Sequence, residues 1–158
     1  MIDKKEILKD LEKSFEEAKK TLKFKPSFED LEMEFSIRDF VLSTGFVSEK
    51  FSRQLCARIV DYYRDWHGYL NSLLLPNPSF FAGQTEAKLF NSSEERKKIW
   101  DLITLAMRFS SMYSLIGLEW SKEKEREFID KSYESWINTF KPGLAYILGK
   151  VNEGWNKE

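Results

Sequence analysis

The chain has 158 residues, 32% of them charged and 42% hydrophobic, with 25 Lys and Arg against 26 Asp and Glu and a net charge of -1. That length buries a core without disulfide or metal, and the charge balance exerts no global pull toward nucleic acid or an anionic membrane, so any such affinity needs a local patch. Cys56 is the only cysteine, which excludes an intrachain disulfide and a thiolate metal cluster; with no apolar targeting stretch in residues 1 to 10, the expected compartment is a reducing cytoplasm.

The first segment carries Leu8, Leu11, Phe15, Ala18 and Leu22 at alternate spacings of three and four, a heptad seam on one amphipathic helix over residues 1 to 25. So narrow a seam needs a partner face, supplied by the rest of the chain or by a second copy. Pro26 ends that helix, and Ser27 with Asp30 marks the start of a short one. The run LEMEFSIR, residues 31 to 38, alternates apolar and charged like a strand, but a lone strand has nothing to pair with, so it is read as helical. Ser36 and Asp39 are expected to recap the chain there, and Gly45 to terminate it.

Ser48 opens the longest helix, with Phe51, Leu55, Ile59, Tyr62 or Tyr63, Trp66, Leu70 and Leu73 along one stripe. Pro76 restricts Leu75 and stops that helix near Leu74. Ser92 and Glu95 cap a later helix that Gly117 is expected to close. Another starts at Ser121 and bears Ile129, Tyr133, Trp136 and Phe140; Pro142 is expected to end it and to sit in the first turn of a last helix with Leu144, Ile147, Leu148, Val151 and Trp155 inward. The expected fold is an all-α, single-domain bundle of five or six helices over residues 1 to 158. One long apolar loop, about residues 76 to 91, lacks a clean period.

That loop follows LLLPNPSFF, and its Leu75, Phe80, Phe81, Leu89 and Phe90 are the candidate partner-binding residues. The preferred expectation is that Phe80 and Phe81 fold back to plug the bundle; the alternative leaves the rings outside as an anchor for another protein.

Chemistry is sparse. His67 is the only histidine, too few for a histidine metal site, and its helical neighbours Tyr63, Arg64, Leu70 and Asn71 include no carboxylate. The Arg-then-His pairing of helical ribonucleases is absent, because Val60, Asp61 and Tyr62 occupy the positions it needs. Tyr63, Arg64 and His67 remain a candidate polar site. The pairs Glu29 with Glu32 and Glu127 with Asp130 have one-turn spacing, but each sits in a charge-rich run that reads as a solvated face. No glycine-rich phosphate loop or hydrolase elbow occurs, so no catalytic residue, cofactor or metal is expected.

Lys50, Arg53, Arg58 and Arg64 on the long helix, continued by Arg96, Lys97, Lys98 and Arg108, form a candidate basic strip for RNA or DNA. The leading expectation is a non-catalytic protein of association, with itself or with another protein; a nucleic-acid-associated subunit is the alternative. Abundant Lys and Glu with scarce Gln match the usage of heat-adapted proteins.

Overall fold

The computed structural model describes residues 3–157. The described residues contain no strand, and the chain is all-α as expected: α1 Lys4–Leu22, α2 Phe28–Phe35, α3 Ile37–Thr44, α4 Phe51–Leu74, α5 Phe81–Ala87, α6 Ser93–Leu118, α7 Lys122–Ser135, a π turn Trp136–Phe140, and α8 Lys141–Trp155. Contacts group these into two compact units, Met1–Tyr62 with Ser111–Tyr133 and Tyr63–Ser110 with Glu134–Glu158, so α4 and α6 supply residues to both.

In the first unit α1 buries Ile7, Leu11, Phe15, Ala18 and Leu22. Ile7 takes the place expected of Leu8, because the stripe follows the 3.6-residue period of a straight helix instead of a strict heptad. Phe15 meets Phe24, Phe28 and Phe51 edge-on, with ring centroids 5.5, 5.0 and 6.3 Å apart. The seam is therefore covered by the chain's own side chains. After α1, Lys23 turns left-handed at φ 61°, and the Lys19 ammonium donates to the carbonyls of Phe24, Lys25 and Pro26. Three donors meet three carbonyls that no helix would otherwise satisfy.

Ser27 and Asp30 form the full capping box of α2. Ser36 gives α3 no side-chain cap, nor does Asp39; Glu32 Oε2 instead accepts the Arg38 N–H at 2.8 Å. At φ 49° Ser36 links the two helices directly, leaving its hydroxyl out of capping geometry. Gly45 ends α3 at φ 81°, a conformation that favours glycine. Ser48 precedes α4: its hydroxyl accepts from Lys50 N–H and its own N–H donates to Gln54 Oε1, at 3.1 and 2.9 Å. α6 runs through Gly117, which has no left-handed φ, and stops at Leu118. The break is set by Ser121, whose hydroxyl accepts from Lys124 N–H.

In the second unit Tyr63 is fully buried among Phe109, Trp136 and Phe140, with centroids 4.9, 5.5 and 4.8 Å away. Pro142 does not end a helix. The chain continues through it because the preceding turn widens into the π form, in which Lys141 N–H reaches back to Trp136 O. Pro142 then lies in the first turn of α8, directly after that wider turn. Trp136 and Phe140 stack across that turn at 5.4 Å.

Candidate functional site

The apolar segment after α4 divides into an anchored part and an outward part. α4 stops at Leu74, and Asn77 organises the turn that follows: its side-chain oxygen accepts from Ser79 N–H at 2.9 Å and its carbonyl from Phe80 N–H at 3.0 Å. The segment then forms α5, a helix that the two prolines and the missing period had hidden. Glu86 holds α5 in place, accepting from Tyr69 Oη at 3.1 Å on one oxygen and from Trp155 Nε1 at 2.8 Å on the other. Burial and the Glu86 carboxylate together hold the Tyr69 phenol well above its ordinary range.

Behind α5, Phe90 is 1% exposed, and Leu89 packs so closely on Gly154 of α8 that a Cβ there would stand 2.6 Å from Leu89 Cδ1. Phe90 is thus a core residue, and Leu89 is half-buried against α8. Leu75, Phe80 and Phe81 are 75%, 61% and 81% exposed. The rings do not plug the bundle. Phe80 lies over Gly83, where a Cβ would stand 2.9 Å from its Cδ1, and Phe81 opens α5 into solvent.

The candidate basic strip separates. Arg58 is absorbed by structure, its Nε donating to Phe35 O at 2.7 Å while its guanidinium lies over the rings of Phe40 and Tyr62. Arg64 is exposed, with Nε donating to Ser110 Oγ at 2.9 Å. Lys97 pairs with Asp101, and Lys98 lies over the Tyr146 ring. Lys50 and Arg53 come together at a cavity described below. The candidate polar site separates too: Tyr63 points into the aromatic core, where burial pushes its phenol far up, while Arg64 is exposed and His67 half-buried. No group of three or more His, Cys, Asp or Glu among the described residues is placed to hold a metal. Asp130 accepts the Lys25 N–H at 2.7 Å, and Glu127 pairs with Lys131.

A cavity of about 530 Å³ lies in the first unit between α1, the start of α4 and the start of α7. Its charged lining is balanced, with Glu17, Glu49 and Glu125 against Lys50, Arg53 and Lys122. Glu125 is 1% exposed. Its Oε1 accepts the Trp120 indole N–H, and its Oε2 is buried with no hydrogen-bond partner. Cys56 is buried; desolvation pushes its thiol well up, the Glu125 charge adds to the rise and Arg53 opposes it.

Sequence reasoning missed Glu125, which sits in the run KEKEREFIDK taken for a solvated face. The signal was present in the helical phase: Glu125, Phe128, Ile129 and Ser132 are the buried residues of α7 and share one stripe. No helix among the described residues is long and apolar enough to cross a membrane. No protein-family model, curated protein or solved structure matches the chain.

Proposed function

We propose that the protein works by association, presenting Leu75, Phe80 and Phe81 to an uncharged, apolar recess on another protein. The observation that carries this reading is the exposure of both phenylalanines on a segment fixed in place by two prolines, the Asn77 turn and the Glu86 clamp. Rings held outward before binding lose little freedom on docking, and large aromatics on rigid backbone are the usual anchors of interfaces. The partner's chemistry follows from composition: no Asp, Glu, Lys or Arg occurs between Asp65 and Glu86 in a chain that is 32% charged. Depletion of charge with retention of aromatics is the mark of an interface centre, and it selects an apolar surface over a charged one.

The test is a comparison of wild type with the Phe80→Ser, Phe81→Ser double variant in capture from the native lysate after nuclease treatment, followed by direct binding with the purified partner. The reading expects a protein held by wild type at high salt and lost by the double variant. Equal retention by both overturns it, as does concentration-dependent dimerisation of the purified chain through the same rings. The nucleic-acid reading has weaker support, since Arg58 is committed to backbone carbonyls and aromatic rings.

A further inference from the structure

Glu125 places a carboxylate in the wall of the cavity in the first unit with one oxygen satisfied and the other not. A buried acceptor without a donor is uncommon in folded proteins and calls for a group that supplies the missing N–H or O–H. No neighbour among the described residues supplies it. Trp120, which fixes Glu125 Oε1 through its ring edge, also lines the cavity and is 52% exposed. A carboxylate oxygen that lacks a donor is a suitable receptor for an ammonium group, which supplies N–H donors and takes up the charge.

Basic residues on the same cavity complete the pattern. The half-buried Arg53 guanidinium has no hydrogen bond or ion pair among the described residues, and Lys50 lines the cavity beside it. Arg53 and Glu125 act in opposite senses on the buried Cys56 thiol, so both lie within electrostatic reach of one atom. A purely cationic ligand would meet Lys50, Arg53 and Lys122; a purely anionic one would meet Glu17, Glu49 and Glu125. Only a ligand with both charges matches both sets. The volume, about 530 Å³, is that of a small-molecule site and too small for a macromolecular chain.

We propose that this cavity binds a small zwitterion, its ammonium directed to Glu125 and its carboxylate or phosphate to Arg53 and Lys50.

The test uses the full chain with purified probes: glycine, β-alanine, γ-aminobutyrate, lysine and phosphoethanolamine as zwitterions, putrescine as cation alone and succinate as anion alone. Thermal shift and titration calorimetry are read together. At least one zwitterion is expected to raise Tm by about 5 °C or more at a hundredfold excess over its Kd. Preference for phosphoethanolamine or for an amino acid identifies the anion. Glu125→Gln and, separately, Arg53→Gln are each expected to weaken that binding about tenfold or more, as loss of a charged hydrogen bond does. The proposal is overturned if no zwitterion shifts Tm, if putrescine or succinate binds as tightly, or if both variants keep the wild-type Kd. Should Glu125→Gln fold poorly, Arg53→Gln alone decides.

Discussion

Glu125 and Tyr63 are both ionisable groups turned inward, and each makes a testable statement about stability. Glu125 Oε2 is buried without a donor, an arrangement that costs about 1–3 kcal/mol for a polar group and more for an unpaired charge. Glutamine has nearly the same shape and can still accept from Trp120. Glu125→Gln without ligand is therefore expected to match or exceed the wild-type Tm, the pattern of a site that gives up stability for binding; a drop of several degrees would make Glu125 structural. Burial holds the Tyr63 phenol above its ordinary value of 10.0, so the folded chain keeps a proton that the unfolded chain releases from about pH 10 upward. The stability from that group is intact below pH 10 and declines above it, by up to about 1.4 kcal/mol per pH unit for one proton. Tyr69 adds a loss of the same sign, discounted by its partial exposure. Denaturant unfolding at pH 8, 10 and 11 should show Tyr63→Phe losing less stability than wild type, and parallel losses would contradict this. The sequence placed Tyr62 or Tyr63 on the apolar stripe of the right helix and also joined Tyr63 to His67 by spacing; the choice of Tyr63 for the core is decided by Phe109, Trp136 and Phe140, all distant in sequence.

At the scale of elements, α5 carries the argument for association. Its register leaves Gly83 buried beneath the Phe80 ring, and a methyl at that position has no room without moving the ring. Gly83→Ala raises helix propensity by about 1 kcal/mol, so thermal stability is expected to hold or rise slightly while association weakens severalfold. Unchanged binding by this variant would mean that the position of Phe80 is irrelevant. The short helix was not legible because LLLPNPSFF is dominated by prolines and α5 spans only Phe81–Ala87; its stability comes from Glu86 bonding to Tyr69 and Trp155, partners no local pattern reveals. Among the local signals, Ser27 with Asp30, Gly45, Ser48 and Ser121 mark helix ends as read, while Ser36 and Asp39 do not cap α3. Gly117 and Pro142 misled for one reason. Each can end a helix but does not have to, and a π turn or a later cap chose otherwise.

For the whole molecule, the all-α class followed from periodicity, while the destination of each apolar face did not. The α1 stripe could have met a second copy as easily as its own chain; Phe24, Phe28 and Phe51 occupy it. With α1 covered, Leu75, Phe80 and Phe81, exposed in the uncharged stretch between Asp65 and Glu86, are the residues on which the proposed association rests. Removing exposed rings should leave the fold intact, since substitutions at such positions change stability by about 0.5 kcal/mol or less, or about 2 °C in a chain of this size. An apolar contact also persists at high salt, whereas phosphate contacts weaken steeply.

The most direct measurement is therefore the affinity of the purified partner for wild type and for the Phe80→Ser, Phe81→Ser variant at low and high salt, with the Tm of both proteins recorded beside it. The account predicts a Tm within about 2 °C of wild type, loss of binding in the variant, and wild-type affinity that does not fall with salt. A variant that binds normally, or one whose Tm collapses because the rings hold the fold together, would contradict it.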